Sequence, residues 1–121
     1  MKLNIIVGEP EASMRGRLLE HARKIDAGEE VEPMCELGFT RITQMSEVFT
    51  PKRWELVEVL KATGAQSIYA LAKRLHRHYR NVYQDVTALT EWLVIEKDED
   101  GKVFVPWDEI DVQFPLQQLA A

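Results

Sequence analysis

A segment near the middle of the chain carries side chains that suit the reading of DNA base pairs. They are Tyr79, Arg80, Asn81, Tyr83, Gln84 and Thr87. Arginine pairs with guanine, asparagine and glutamine pair with adenine, and a threonine methyl group can touch thymine. Val82, Val86 and Leu89 recur at helical spacing, so a helix here would turn its apolar side chains inward and the polar set outward. We assign base contacts above all to Arg80 and Gln84.

A second set of side chains, just before this segment, suits contact with DNA phosphates. Its members are Ser67, Tyr69, Lys73, Arg74, Arg77 and His78. Hydroxyl groups and cations of this kind hold the duplex backbone and set the register of a reading helix. Within this set we assign backbone contacts above all to Lys73 and Arg77.

A first helix is needed to support the elements that carry these two sets. Thr50 is an N-cap residue type, and Pro51 suits the first helical position. Phe49 and Trp54 have the spacing of a hydrophobic staple across that start. We expect the helix to end at Gly64.

Two further helices form a predicted helix-turn-helix. Ser67 caps a helix whose inward side chains are Ile68, Leu71, Ala72 and Leu75. His76 and Arg77 form a tight polar connection to the helix that carries the base-reading set. Two short helices joined in this way, the second with a polar outer face, are typical of DNA-binding proteins.

The residues that follow predict a β-hairpin. Val94–Lys97 and Lys102–Val105 have strand character, and the turn between them ends in an Asp-Gly pair. A hairpin directly after a reading helix is a wing, and Lys97 and Lys102 are its candidate DNA contacts. The turn also holds three consecutive acidic residues, which phosphate would repel. A wing that lies off the DNA therefore stays open as an alternative.

The N-terminal segment predicts a strand and then a helix. Alternation over Leu3–Val7 indicates a strand, Pro10 suits the start of a helix, and Gly28 suits its end. The apolar residues of this helix form one stripe of Met14, Leu18, Ala22 and Ile25.

Shorter elements are expected on either side of the three helices. Met34–Phe39 is expected to be extended, and Thr40 to cap a short helix bearing Ile42, Met45 and Val48. Alternation of Ile110, Val112 and Phe114 indicates a last strand.

These elements predict an α+β fold, a winged helix-turn-helix with an N-terminal strand–helix extension. We divide the chain into residues 1–48, a strand–helix segment; 49–105, the DNA-binding domain; and 106–121, a C-terminal strand and tail. The first segment is our expected homodimer surface, because one strand and one helix cannot bury their apolar faces alone.

Charge is distributed unevenly along the chain. The net charge is −5, yet residues 50–93 hold 7 basic and 4 acidic side chains. Residues 1–49 hold 6 and 9, and residues 94–121 hold 2 and 7. Charges more than a Debye length of about 8 Å from a phosphate are largely screened, so the nearby charges of the protein govern the attraction. The basic middle third is therefore compatible with DNA.

Over Thr50–Phe114, and more loosely over nearly the whole chain, the sequence resembles small prokaryotic winged helix-turn-helix predicted transcriptional regulators, a MarR-like or antitoxin-like group. The resemblance is carried by Phe49–Leu56, Ser67–Leu75, Asp85–Leu89, Glu96–Gly101 and Val105–Ile110. Members of this group often lie beside toxin-like genes. The resemblance implies an autoregulating repressor or antitoxin component, double-stranded DNA and a protein toxin as partners, and a homodimer.

Leu93 departs from the pattern of that group, which usually has glycine just after the reading helix. A non-glycine residue in left-handed geometry costs about 1–2 kcal/mol. Either Leu93 uses another helix exit or the wing leaves at a different angle, so the wing contact stays open.

Several other classes of protein are not expected. No apolar run approaches the ~20 residues of a membrane helix, and the single cysteine, Cys35, agrees with a reducing, cytoplasmic compartment. His76 and His78 do not share a helix face, so we expect no metal, and no cofactor. The clustered carboxylates Asp108, Glu109 and Asp111 lack a nucleophile or paired base, so we expect no enzyme.

Two functions follow from the sequence. The first is a sequence-specific DNA-binding transcription regulator. The alternative is a protein-interaction module on the same scaffold, whose acidic faces bind a basic partner such as a toxin. DNA binding through several phosphates would weaken steeply with salt, which separates the two.

Overall fold

A computed structural model describes residues 1–8, 11–30 and 35–116 of the chain, which mix helices and strands in an α+β fold as expected. In chain order the elements are β1 (Lys2–Val7), α1 (Glu11–Asp26), β2 (Glu36–Phe39), α2 (Ile42–Val48), α3 (Pro51–Thr63), α4 (Ile68–Leu75), α5 (Tyr79–Glu91), β3 (Glu96–Lys97), β4 (Val103–Phe104) and β5 (Glu109–Gln113). They form two compact units, one of Met1–Met45 with the chain from Asp108 onward, the other of Ser46–Trp107.

The first unit is built on a three-stranded sheet with the order β2-β1-β5, in which both neighbours run parallel to β1. Leu3 lies opposite Ile110, and Ile5 lies opposite both Leu37 and Val112. The predicted first and last strands are confirmed. Because β5 joins β1, the N-terminal strand is not isolated, and the two ends of the chain share one unit.

Helix α1 ends where the sequence predicts. Gly28 has a φ of +76° and donates its backbone N–H to the carbonyl oxygen of Ile25, and the N–H of Glu29 reaches Lys24. This left-handed exit satisfies the last carbonyl groups of the helix. Pro10, the expected start, lies outside the described residues, as do Met34 of the extended segment and the side chain of Met14.

Helix α2 forms as expected, but Thr40 does not supply the predicted cap. The side-chain oxygen of Gln44 instead accepts the backbone N–H groups of Thr40 and Arg41, at 3.1 and 3.2 Å. A side chain inside the first turn thus satisfies the unpaired donors that precede the helix.

Helix α3 begins as the sequence predicts. The side-chain oxygen of Thr50 accepts the backbone N–H of Arg53 at 3.3 Å, and Pro51 occupies the first turn. The rings of Phe49 and Trp54 stack with centroids 4.6 Å apart. The helix ends at Gly64, whose φ is +87°.

The core of the second unit contains side chains from all three helices and the hairpin. The buried apolar residues are Phe49, Leu56, Val57, Leu60, Leu71, Ala72, Val82, Val86, Leu89, Val94, Ile95, Val103, Val105 and Trp107. Full burial of one Leu or Val side chain contributes about 1.5–3 kcal/mol. The predicted inward faces of α4 and α5 are confirmed, although Ile68 and Leu75 are only half-buried.

The predicted hairpin is present. Glu96 pairs with Phe104 and Lys97 with Val103 in antiparallel register, and the N–H of Asp98 reaches the carbonyl oxygen of Lys102 at 2.8 Å. Gln66, between α3 and α4, adds a bridge to Val103 through two backbone hydrogen bonds of 3.2 and 2.8 Å.

Leu93 accepts the left-handed geometry at the end of α5, with a φ of +64°. Its N–H donates to Thr90, and the N–H of Val94 donates to Leu89. His76 closes α4 in the same way, with a φ of +53°. The alternative in which Leu93 uses another helix exit is therefore wrong, because this residue adopts the left-handed geometry despite its side chain.

Candidate nucleic-acid interface

The first turn of α5 is set by the α4–α5 connection, in which three residues separate the two helices. His78 is the N-cap residue, and its Nδ1 accepts the backbone N–H of Arg80 at 3.2 Å. Val82, Val86 and Leu89 are buried, which fixes the rotation of α5. The outer face of its first two turns is therefore exposed.

All six residues predicted to read bases are exposed on α5: Tyr79, Arg80, Asn81, Tyr83, Gln84 and Thr87. Arg80, Gln84 and Thr87 are spaced by four and three residues, so they form one stripe along the helix. The rings of Tyr79 and Tyr83 lie beside each other, with centroids 6.1 Å apart.

Three members of this set have side chains that are available to bind a ligand. Among the described residues, the side chains of Arg80, Asn81 and Gln84 make no hydrogen bond or ion pair. Thr87 differs, because its hydroxyl donates to the carbonyl oxygen of Tyr83 at 2.8 Å. The arrangement presents a guanidinium and two carboxamides to solvent.

The predicted phosphate-binding residues on α4 divide between structural and exposed roles. The side-chain oxygen of Ser67 caps α4 by accepting the N–H of Ala70 at 3.1 Å. Tyr69 is 60% exposed, and the ammonium group of Lys73 lies 4.9 Å from its ring centroid. Both side chains can meet an anion on this face.

Arg74 is exposed but has a structural contact. Its Nε donates to the side-chain oxygen of Gln66 at 3.0 Å, and Gln66 is buried. The amide nitrogen of Gln66 donates in turn to Thr63 and Gly64. Only Nε of the Arg74 guanidinium group donates to Gln66, so its other N–H groups can still donate hydrogen bonds to a phosphate.

Arg77 is paired within the fold. Its Nη2 donates to Oδ2 of Asp85 at 2.8 Å, while Nε of Arg53 donates to Oδ1 at 3.0 Å. The three side chains are only 15–20% exposed. We call these residues the Arg53–Asp85–Arg77 cluster. It ties α3 and the α4–α5 connection to α5, and the phosphate contact assigned to Arg77 stays a prediction about a side chain that already has a partner in the fold.

Asp85 was missed as a functional residue, although the sequence contains a signal for it. It follows Val82 by three residues and precedes Val86 and Leu89, so it borders the buried face of α5. A carboxylate there requires a cationic partner, because burial of an unpaired charge is costly.

The hairpin exposes both of its candidate lysines. Among the described residues, the side chains of Lys97 and Lys102 hold no ion pair. One oxygen of Asp98 accepts the backbone N–H groups of Asp100 and Lys102, at 3.0 and 2.9 Å, so this carboxylate shapes the turn. Glu99 and Asp100 remain exposed at the tip.

Other kinds of site are less well supported by the described part of the chain. In residues 1–8, 11–30 and 35–116, no three His, Cys, Asp or Glu side chains lie close enough together to hold a metal ion. No helix in the same ranges is long and apolar enough to cross a membrane. A cavity of about 400 Å³ in the first unit lies along β2 and the end of β1, and the charged residue among its described lining, Glu36, is paired with Arg17.

Comparison with known protein families matches residues 48–112 to HVO_A0114. This match covers more than half of the chain. The chain belongs to the HVO_A0114 family. The matched range includes α3, α4, α5, the hairpin and most of β5, so the candidate interface lies inside the part that defines the family. The name of this family states no activity, and no curated protein or solved structure matches the chain significantly.

Proposed function

We propose that this member of the HVO_A0114 family is a sequence-specific DNA-binding transcription regulator whose second unit is a winged helix-turn-helix. The observation that carries the proposal is the exposed, uncommitted set of Arg80, Asn81 and Gln84 in the first half of α5. In helix-turn-helix proteins this end of the second helix enters the major groove.

The order of elements in the second unit supports the proposal. A helix, a bridging residue at Gln66, two helices with a three-residue connection and a two-stranded hairpin follow one another. In this arrangement α5 is the recognition helix and the hairpin is the wing. Arg80 then pairs with guanine, and Asn81 or Gln84 with adenine.

Phosphate contacts come from the exposed side chains around the start of α4 and its last turn. We assign them to Lys73 and Arg74, with Ser67 and Tyr69 as hydroxyl donors, while the contact of Arg77 stays a prediction. We also assign a phosphate contact to His78, because it lies next to the start of α5. The wing lysines, Lys97 and Lys102, supply a further contact only if the acidic tip points away from the duplex.

The proposed regulator binds as a homodimer, with two recognition helices in successive major grooves about 34 Å apart. As the family resemblance implies, its role is that of an autoregulating repressor or antitoxin component in the cytoplasm. We assign it no catalytic step and no cofactor.

The decisive measurement is a gel shift with DNA from upstream of the protein's own coding region, against a scrambled duplex, at physiological salt. We expect the native fragment to be retarded at concentrations that leave the scrambled one free. Arg80→Ala should weaken specific binding by about 1–3 kcal/mol, roughly 5- to 150-fold, and relax one base preference. Arg41→Ala removes the same charge from an exposed position in the first unit and serves as the matched control.

Salt dependence separates the proposal from the protein-interaction alternative. With Lys73 and Arg74 on phosphates, a plot of the logarithm of the binding constant against that of the salt concentration should have a slope of about −2 per protomer. The slope should be about −4 if the two wing lysines also contact phosphates. Lys73→Ala should reduce the slope by about 1 with base preference unchanged. Equal binding to native and scrambled DNA, or none, would refute the proposal and favour a basic protein partner for the acidic faces.

A further inference from the structure

Two tyrosines on α5 expose their rings beside the residues proposed to read bases. Tyr79 is 46% exposed and Tyr83 is 50% exposed, and their ring centroids lie 6.1 Å apart. The core of the second unit does not use them, because Val82, Val86 and Leu89 already fill the inner face of the helix. A contact between two rings one turn apart stabilises a helix only slightly. The fold therefore gives no reason for two adjacent exposed rings.

Thr87 continues the line of these rings by one more turn. Its hydroxyl donates to the carbonyl oxygen of Tyr83 at 2.8 Å, so the polar part of this exposed side chain is bound to the backbone of its own helix. The methyl group is the part left for another molecule. Tyr79, Tyr83 and Thr87 follow one another at intervals of four residues, so they lie on one side of α5. We call these three residues the apolar stripe.

The apolar stripe runs alongside the polar residues of the same helix. At 3.6 residues per turn, successive residues are rotated by about 100° around the axis. Tyr83 therefore lies about 60° from Arg80, and Thr87 lies about 60° from Gln84, in the same direction. A molecule that forms hydrogen bonds with Arg80 and Gln84 also meets the apolar stripe along one edge.

The charge around the apolar stripe favours an anionic molecule. Asp85 is the single carboxylate between Ser67 and Thr90, and Arg53 and Arg77 bind it at 3.0 and 2.8 Å. The neighbouring Arg80 makes no ion pair within the described residues. A polyanion that also displays apolar groups beside hydrogen-bonding groups would complement this surface. The major groove of DNA is such a surface, and the C5-methyl group of thymine is its apolar group.

We propose that the apolar stripe contacts thymine methyl groups in the major groove, next to the base that Arg80 reads. The inference rests on the proposed function and deepens it, because it states which base the bound DNA must contain. Residues four apart are separated by about 6 Å along a helix axis, which is close to two base-pair steps of about 3.4 Å. The rings of Tyr79 and Tyr83 therefore match methyl groups about two base pairs apart.

Replacement of thymine by uracil tests the inference, because it removes the methyl group and leaves the hydrogen-bonding groups of the base in place. The upstream fragment is prepared once with thymine and once with uracil throughout, and each duplex is titrated with the full chain in a gel shift. Burial of one methyl group changes an affinity about fourfold. We expect the unmodified chain to bind the uracil duplex at least about fourfold more weakly than the thymine duplex.

Substitutions on α5 assign this affinity ratio to the apolar stripe. A chain with both Tyr79→Ala and Tyr83→Ala should lose most of the ratio, because the effects of two groups in contact are not additive when one partner is already absent. A chain with both Tyr79→Phe and Tyr83→Phe should keep the ratio, since phenylalanine retains the ring. Thr87→Ser keeps the hydroxyl, removes the methyl group and should lower the ratio by a smaller factor.

Tyr69→Ala is the matched control. Tyr69 is 60% exposed on α4, and its hydroxyl is assigned to phosphate, which carries no sequence information. Its loss should weaken binding to both duplexes equally and leave their ratio unchanged. Circular dichroism should show the same helical content for every variant, because all of these positions are exposed.

Equal affinity of the unmodified chain for the two duplexes would overturn the inference. If upstream DNA were still preferred over scrambled DNA, the proposed function would stand without it. A ratio that persists in the double alanine variant would overturn the assignment to the tyrosine rings, since the loss would then come from the DNA itself or from another residue. Failure to retard the upstream fragment at all would refute the proposed function, and the inference with it.

Discussion

Replacement of Asp85 by asparagine tests whether the Arg53–Asp85–Arg77 cluster holds α5 in place. The substitution keeps the shape of the side chain and removes its charge. In the native chain the carboxylate accepts two charge-assisted hydrogen bonds, of 3.0 Å from Arg53 and 2.8 Å from Arg77. Arg53 also donates to the carbonyl oxygen of Val48 at 2.8 Å, so it keeps one partner.

The expected loss of folding stability follows from the hydrogen bonds that Arg53 and Arg77 keep after the substitution. A hydrogen bond to a charged group contributes about 1.5–3 kcal/mol, and two such bonds set an upper limit of about 3–6 kcal/mol. The oxygen of the introduced carboxamide can still accept from Arg53, but its NH₂ group cannot accept from Arg77. Nη1 of Arg77 is already buried without a hydrogen-bond partner, so the cation would lose its main contact. With partial solvent exposure, we expect a loss of about 2–4 kcal/mol.

Urea unfolding followed by tryptophan fluorescence measures this loss, because Trp54, Trp92 and Trp107 all lie in the second unit. Asp100→Asn makes the same chemical change at the exposed hairpin tip and should stay within about 0.5 kcal/mol of the native chain. A loss below about 1 kcal/mol for Asp85→Asn would refute the reasoning, since the cluster would then contribute no more than a surface ion pair.

Two further predictions concern the end of α5 and the last strand. Leu93→Gly should stabilise the second unit by about 0.5–1 kcal/mol, because relief of the left-handed strain exceeds the entropy cost of glycine. A lower urea midpoint would contradict this. The hydrogen bond from Gln113, with help from Lys2, holds the pKa of the Asp111 carboxyl below its ordinary value. NMR titration should find that Gln113→Ala raises this pKa. Because the pKa of Asp111 is lower in the folded chain than in the unfolded chain, its small contribution to folding stability is present above the unfolded pKa and is lost as the pH falls through the folded pKa. An unchanged Asp111 pKa in the Gln113→Ala variant would exclude Gln113 as the cause.

The start and stop signals of the helices could be predicted because they are local. Thr50 and Ser67 each accept a backbone N–H from three residues downstream, and Gly28 and Gly64 each adopt a positive φ at a helix end. In each case the donor, the acceptor and the required geometry lie within one turn of chain. A short window of sequence therefore contains the whole physical cause.

The pairing of β5 with β1 could not be predicted in this way. Alternation of Ile110 and Val112 indicates a strand but does not specify its neighbour, and Leu3 is more than a hundred residues away from its partner Ile110. The N–H of Asp108 also reaches the carbonyl oxygen of Met1 at 2.8 Å, which extends the same pairing. Such contacts depend on the closure of a long chain and have no local signature.

The orientation of α1 was also beyond the sequence. Periodicity identifies the stripe that contains Leu18 and Ile25, yet it does not say whether a core or a second molecule covers it. The ion pair of Arg17 with Glu36 shows that a polar side of the helix faces the sheet. The side of α1 that faces the sheet therefore involves a long-range charge pair that hydrophobic patterning does not detect.

Pairing of charges within the fold also explains how a chain with a net charge of −5 can present a cationic face. Between Ser67 and Thr90 the sequence contains a single carboxylate, Asp85. The Arg53–Asp85–Arg77 cluster encloses that carboxylate and leaves it only 15% exposed. Lys73 and Arg80 then stand on α4 and α5 without a competing exposed acid in this stretch of sequence. Because exposed charges separated by more than about 8 Å are largely screened, an approaching phosphate would sense these cations more than the acidic remainder. The ion pairs that fix α5 therefore also neutralise the single carboxylate between Ser67 and Thr90, which would otherwise weaken the proposed interface.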